Sequence, residues 1–489
     1  MLINAQLLLQ FQRCQRRPFL DIYGDYQQRE VPNELALKIQ QDKMLHHQRI
    51  VKKLCYYEPD YPPKDWTAGA AATISLMQQG VSYIRRGVLL TTYREKYTLL
   101  SRPDLLVKQP GESRFGAWNY VPVDIELGKR PKQEYQVLVA FHAEVLATVQ
   151  DVTLSKAGLI LRDKDQTYVV DLDKWTPQML NILDEYTQVV ESVDAPEIFI
   201  SRQKCSLCPW YNYCHDIAQA QEHLSLLPGV TPIRYTQLQN LAITSLESLA
   251  HTHPSTLENL TGFDRGVAAK LVIQAQSVFT KQPLILANSF SQEYLTFTAP
   301  IELYFDIEAQ PDLNLNYLLG VLVVDRVAQN EQFYSFLAET PEQEQLIWQQ
   351  FLNLVNQYPQ APIYHFCAYE VDTVKNLGKL YRTPHSQIRP ILSRFIDIYE
   401  QLIQSVALPI DSYALKAIAR WLGFAWREQE ANGAKCIYWY DKWLETGDRS
   451  LLTIIQDYNE DDCRATRTVK DWLVSFFKDQ SNNINLSQS

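Results

Sequence analysis

No stretch of this 489-residue chain is apolar for long enough to cross a bilayer. The longest runs, such as 317–324, fall far short of the roughly 20 residues a membrane helix needs. The apolar N-terminal stretch meets Arg13, Arg16 and Arg17 without a small-residue cleavage site, the wrong order for a secretory signal, so a cytoplasmic protein with no membrane partner is expected. Excess positive charge is missing too: 46 Lys+Arg stand against 56 Asp+Glu, a formal net charge of −10. Proteins that coat nucleic acid by neutralising phosphates are usually basic, so the balance speaks against purely non-specific binding. It leaves room for an enzyme whose metal-binding carboxylates add negative charge of their own. No repeat of fixed period is visible, and only the tail 480–489 (QSNNINLSQS) reads as disordered.

What is present is ordinary globular protein, 46% hydrophobic and 21% charged. The length suggests about two to four domains. Basic residues gather locally at 13–17, 85–86 and 129–132, all in the first half. Residues 1–225 mix helical and strand-like patterns and hold five of the eight cysteines; 226–295 read as short helices with turns; from 296 strands alternate with helices. In that last region IELYFDIE, NYLLGVLVVD, QFYSFLA and APIYHF read as strands. The helix TPEQEQLIWQQFLNLV opens on Thr340 as N-cap, Pro341 at the first helical position and Gln343 completing a capping box. The expected architecture is multidomain α/β: an N-terminal α/β domain, a small helical connector and a C-terminal α/β domain over 296–479.

Asp306 and Glu308 stand at alternate positions of the first of these strands, so both carboxylates project from one face. Two such neighbours are unfavourable unless a proton or cation separates their charges, and hard oxygen ligands suit Mg²⁺ or Mn²⁺. Within LLTIIQDYNEDDCRATRTVKDWLVSFF, Tyr458 lies four residues before Asp462, on the same helix face. A phenol there can orient a water, or take its proton, during attack on phosphorus. Glu370, with Asp372 as fallback, follows a short strand in IYHFCAYEVDTVKNL and can complete the set. The order DIE, YE after a strand, and Y-N-x-x-D-C on a last helix resembles the DEDD exonucleases, particularly the RNase H-like domain of YprB type. The resemblance implies Asp306, Glu308 and Asp462 as metal ligands and Tyr458 as the tyrosine of the DEDDy subclass. It implies 3′→5′ phosphodiester hydrolysis with two metal ions. Glu370 stands where the family has Asp.

Cys205, Cys208 and Cys214 in RQKCSLCPWYNYCHD have the spacing C-x2-C-x5-C, which in a reducing compartment points to metal rather than disulfide. Three thiolates need a fourth ligand, for which Cys14 in FQRCQRRPFLD is the candidate; His215 is an alternative under a zinc reading. Cys55, Cys367, Cys436 and Cys463 have no partner spacing and read as structural. A lone early Cys with a late C-x2-C-x5-C resembles the iron–sulfur RecB-like exonucleases, whose resemblance implies a [4Fe–4S] cluster, with Zn²⁺ the alternative. The same resemblance to the restriction-endonuclease-like PD-(D/E)xK fold implies roles for His47 (DKMLHHQRIVKKL) and for Asp104 (SRPDLLV) and Asp124 (YVPVDIELGKR) as metal ligands. The expected lysine of the motif is replaced by Glu126, which cannot supply positive charge to the attacking water. Lys129, three residues on, is the candidate substitute. Gln136 and Phe141 fit the family's Gln-x3-Tyr motif poorly, so the first site is either active or a degenerate fold kept for binding.

TISLMQQGVSYIRRGVLL, SRPDLLVKQPGESRFGAWNYVPVDI and SYALKAIARWLGFAWREQ extend the likeness, over nearly the whole chain, to bacterial RecB-like nucleases fused to a C-terminal RNase H-like domain. LAITSLESLA and LTGFDRGVAAKLVIQA resemble helix-hairpin-helix elements, whose turns donate N–H groups to phosphates. The expected partner is nucleic acid, DNA before RNA. Two rival readings stand beside the nuclease: a non-catalytic iron–sulfur nucleic-acid-binding factor, and a ribonuclease acting on structured RNA.

Overall fold

Two sheet-based units make up the computed structural model, Met1–Asp216 and Ile217–Ser489. All residues are described except 33, 163, 165, 193, 265, 287–297 and 488–489, with backbone alone for 34–35, 202–203 and 482–487.

The first unit starts with β1 (Leu2–Asn4), α1 (Ala5–Arg13), α2 (Arg16–Tyr23), α3 (Glu34–Val51) and α4 (Trp66–Gln79). Strands β2 (Tyr83–Arg85), β3 (Leu89–Tyr93), β4 (Tyr97–Ser101), β5 (Leu105–Ser113) and β6 (Gly116–Glu126) follow. Then come α5 (Gln133–Gln150), β7 (Lys156–Leu161), β8 (Tyr168–Asp171), α6 (Leu172–Glu191), α7 (Arg202–Cys205) and α8 (Tyr211–Ala220). One sheet has the order β2-β5-β6-β7-β8, the other β1-β4-β3. α5 is the crossover between β6 and its parallel neighbour β7. It is buried almost all round, from Tyr135 to Gln150, as expected for a helix enclosed between layers. Enclosure brings its His142 against β6.

In the second unit α9 (Pro232–Asn240), α10 (Leu246–Ala250), α11 (Val267–Thr280) and β9 (Leu284–Ile285) precede the main sheet. That sheet is built from β10 (Ile301–Gln310), β11 (Leu315–Asp325) and β12 (Asn330–Leu337), then, after α12 (Glu344–Gln357), from β13 (Ile363–His365). Helices α13 (Tyr369–Leu380) and α14 (His385–Leu392) lead to a fifth strand, β14 (Phe395–Asp397). α15 (Ile398–Ser405), β15 (Val406–Ala407), α16 (Leu415–Trp421), α17 (Gly433–Thr446) and α18 (Arg449–Ser487) close the unit. The order is β12-β11-β10-β13-β14, antiparallel through β12, β11 and β10 and parallel from β10 to β14. The four expected strands match β10 to β13; β14 was too short to stand out.

Strand alternation sets the chemistry. Leu303, Phe305 and Ile307 pack with Phe351 and Val355 of α12, whereas Tyr304 joins the opposite cluster with Cys463 and Val469 of α18. Period two therefore turns Asp306 and Glu308 toward α18.

Three expectations change here. The connector is part of the second unit: β9 pairs with β15, and Gln274 Nε2 and Ser277 Oγ donate to Leu408 O (2.7 Å) and Ala407 O (3.0 Å). The proposed boundary at 295–296 lies partly outside the described residues. The 480–489 tail continues α18 to Ser487, with 488–489 outside the description. The capping box is also absent. Thr340 precedes a 3-10 turn, Pro341–Gln343, without a side-chain cap bond, and Gln343 Oε1 accepts from Glu339 N at 2.8 Å.

Candidate active site

Asp306 and Glu308 from β10 meet Asp462 from α18 so that one carboxylate oxygen of each lies within 4.8 Å of the others. Glu308 and Glu370 are buried, and Glu370, in the first turn of α13, adds its charge to both β10 carboxylates. Burial, then the charge of Asp462, pushes Asp306 and Glu308 well above the usual carboxylate range. Burial also raises Asp462 to about 7, against the hydrogen bonds from Trp426 and Tyr458 that lower it. Glu370 is raised by burial, and its Oε2 has no hydrogen-bond partner; His365 Nδ1 stands 3.5 Å off but is held at 2.6 Å by Cys367 O. Asp372, the fallback, is exposed and pairs with Lys375 at 3.3 Å. Of the two, Glu370 is the one whose charge reaches the set, although it lies outside the three whose oxygens come within 4.8 Å of one another.

The donors that reach this set are neutral. Trp426 Nε1 donates to Asp462 Oδ1 at 2.7 Å, and Asn459 Nδ2 to Asp306 Oδ2 at 2.6 Å. Nearby cations are engaged elsewhere: Lys416 donates to Gln429 O (3.0 Å) and to Ala431 O, and Arg427 binds Asp457, Glu460 and Asp461. Three clustered carboxylates, with Glu370 and its unmatched oxygen beside them and, among the described residues, no lysine or arginine in salt-bridge reach, are a donor set that fits hard divalent ions. Tyr458, on the Asp462 face of α18, is raised far above its ordinary value, first by burial and then by these carboxylates. Cys436, read as structural, lines the same site: Glu308, Asp462 and Asp306 all raise its thiol, after burial. Its position was illegible because α17 reaches the site only through tertiary packing.

In the first unit a second group forms around β6. Asp104 Oδ2 accepts from Ile125 N at 2.8 Å, and Asp124 Oδ1 from Asp104 N at 3.2 Å. His47 Nδ1 lies 3.3 Å from Asp104 Oδ1, with its Nε2 2.9 Å from Ile125 O. Burial raises both aspartates to about 7, helped by Asp124 in one case and Glu126 in the other. Glu126 does not stand uncompensated: Lys43 Nζ from α3 lies 3.0 Å from its Oε1. Lys129 instead sits exposed on the turn after β6. His142, unmentioned by any motif, places Nε2 3.5 Å from Asp124 Oδ2, and burial lowers it to about 4. Lys43 had a readable signal, since it lies four residues before His47 on one helix face. Gln136 and Phe141 are both buried in α5, the former donating to Pro131 O at 2.9 Å.

Cys14, at the end of α1, gathers with Cys205, Cys208 and Cys214: its charge raises all three thiols, after burial. Among the described residues no three of these sulfurs lie within 4.8 Å of one another.

Residues 303–474 match the family model of the RNase H superfamily, RNase_H_2. No curated protein matches the chain. The second unit thus holds an RNase H-like domain, which points to a nuclease-type hydrolase with a nucleic-acid substrate; such nucleases generally use Mg²⁺ or Mn²⁺. Among the described residues, no helix is long and apolar enough to cross a membrane.

Proposed function

We propose that the RNase H-like domain is a metal-dependent 3′→5′ exonuclease of the DEDDy kind, with Asp306, Glu308, Glu370 and Asp462 as metal ligands. The observation that carries this reading is the convergence of Asp306, Glu308 and Asp462 within 4.8 Å, with Glu370 and Tyr458 beside them. Two divalent cations, when bound, supply the positive charge that balances the carboxylates and the phosphate under attack. Asp306, on which the charges of Asp462, Glu308 and Glu370 all bear, would help to hold both. Tyr458, whose phenolate is disfavoured by burial and then by the neighbouring carboxylates, would orient the attacking water rather than act as its base. Trp426 and Asn459 fix two carboxylates without cancelling their charge.

A specific contact favours a second active site in the first unit, of RecB-like type. Lys43, rather than Lys129, stands by Glu126, so an ammonium reaches the Asp104/Asp124 group from α3 although the strand lysine is missing. Asp104 and Asp124 would hold the metal there, with His47 positioned on Asp104. The four cysteines would hold a [4Fe–4S] cluster in preference to Zn²⁺.

The deciding assay uses end-labelled single-stranded DNA and its RNA counterpart with Mn²⁺, comparing the protein with Asp306→Ala and Asp124→Ala. Loss of stepwise 3′-end degradation in Asp306→Ala supports the exonuclease. Unchanged digestion of both substrates by Asp306→Ala sinks it. Activity lost only in Asp124→Ala moves the chemistry to the first unit, and no activity on either substrate favours the cluster-bearing binding factor. Preference for the RNA, structured or not, favours the ribonuclease.

A further inference from the structure

Gly320 lies in the interior of β11, directly opposite Asp306 in the β10–β11 register. Glycine inside a strand packs nothing and weakens it, so its presence needs a reason. Conformation is not the reason, because Gly320 is not among the glycines with positive φ. Space is: a Cβ built there would overlap Asn459 Oδ1 of α18. Cys463, one helical turn after Asn459, also comes down on this residue, its Sγ 3.6 Å from Gly320 O. α18 is therefore notched onto β11 at the one residue that has no side chain.

Asn459 fills that notch completely. It is fully buried, and its Nδ2 donates to Asp306 Oδ2 at 2.6 Å. Its Oδ1 has no hydrogen-bond partner. The Hα of Gly320 that a Cβ would replace points at this oxygen, a weak contact that leaves the acceptor largely unmatched. A buried acceptor without a donor is costly, so something must hold the amide in this orientation. Turning the amide over would set its oxygen against a carboxylate oxygen of Asp306; the orientation seen is the one in which the amide donates to it.

We infer that Asn459 is a positioning residue for Asp306, and that Gly320 is kept bare to seat it. The inference rests on the metal-site reading proposed above. Asn459 grips one oxygen of Asp306, leaving the other free for ions shared with Glu308 and Asp462. A neutral amide suits this role, because a lysine or arginine in its place would neutralise the carboxylate and compete with the metal. Trp426 holds Asp462 in the same manner, so two ligands from two elements are oriented by uncharged N–H groups.

The test is Mn²⁺ binding to the full chain, followed by electron paramagnetic resonance of free Mn²⁺, with thermal unfolding in EDTA as the control for folding. The variants are Asp306→Ala, Asn459→Ala, Gly320→Ala and the double variant Gly320→Ala/Asn459→Ala. Asn459→Ala is expected to weaken the tighter Mn²⁺ site by about 10- to 100-fold, the usual effect of removing a residue that orients a ligand. Gly320→Ala, which pushes Asn459 off its seat, should weaken it similarly. In the double variant the glycine change should add little, because the residue it displaces is gone. Unchanged Mn²⁺ affinity in Asn459→Ala, with or without a fall in unfolding temperature, overturns the inference and leaves the residue a packing element. Should Asn459→Ala not fold, Gly320→Ala decides: unchanged affinity overturns the inference, and weakened affinity supports it. If the protein and Asp306→Ala bind Mn²⁺ alike, the metal-site reading itself fails, and the inference fails with it for that separate reason.

Discussion

Tyr458 and the buried aspartates carry the predictions that single residues can test. A phenol beside the attacking water acts first on the chemical step. Tyr458→Phe should therefore lower kcat by about 10²-fold, beyond any loss of Mn²⁺ affinity that follows from its hydrogen bond to Asp462, measurable by single-turnover digestion at saturating Mn²⁺ beside a metal titration. Asp104 and Asp124 are raised from the ordinary 3.8 to about 7. Across that window the folded unit keeps protons that the unfolded chain has already released. The aspartates' contribution to its stability in EDTA should accordingly fall as pH rises from about 4 to about 7 and level off above, against the opposite contribution of His142 and His47, which burial lowers. The difference in urea midpoint between the protein and Asp124→Asn isolates the carboxylate part; a difference that grows in the protein's favour with rising pH would contradict the assignment. These residues were legible to different degrees. Asp306 with Glu308 and Tyr458 with Asp462 are local patterns, two apart on a strand and four apart on a helix. Lys43 against Glu126 joins positions 83 residues apart, and Trp426 against Asp462 positions 36 apart, so neither contact has a local signature.

At the scale of elements, α18 organises the second unit by carrying site residues on one stretch and a buried ion pair further along. Lys470 Nζ lies 2.6 Å from Glu302 Oε1 on β10, both fully buried, and Arg326 and Tyr304 complete the group. The pair holds α18 and β10 in one register beneath the carboxylates. Removing Lys470 leaves Glu302 its Arg326 and Tyr304 partners, so Lys470→Met should cost less than a stranded charge would, about 1.5–3 kcal/mol in urea unfolding. A loss below about 1 kcal/mol would mean that the pair is surrounded by more water than its burial implies. Element identity was readable where periodicity was strong, as in β10 to β13 and α12. The three-residue β14 was missed because so short a run has no period of its own. The capping box failed for a comparable reason: Pro341 began a 3-10 turn, and Gln343 found a backbone donor one residue earlier than the motif predicts.

On the scale of the molecule, the two units place chemistry-bearing residues in separate cores, each assembled from distant parts of the chain. The first unit is closed by Cys14 meeting Cys205, Cys208 and Cys214 across nearly the whole unit. If those thiols share a cluster, Cys14→Ser should cut the iron content of anaerobically purified protein by more than about half, with loss of its visible absorbance, while digestion that depends on Asp306 persists. Zinc in place of iron in the wild-type protein would overturn that assignment. The sequence by itself determined the α/β class, four of the five sheet strands of the RNase H-like domain, and the Asp306/Glu308 and Tyr458/Asp462 pairings on which the proposed site is built, because strand and helix periods are properties of neighbouring residues. It also carries Glu126 where the motif that the first unit resembles would have lysine. Only the tertiary structure decided that Lys43 stands by Glu126, that Glu370 rather than Asp372 joins the carboxylates, that the connector packs into the second unit, and that Asn459 rests on Gly320. Each of these depends on which distant segments share a buried volume, and burial is set by the packing of whole layers, not by the spacing of residues along the chain.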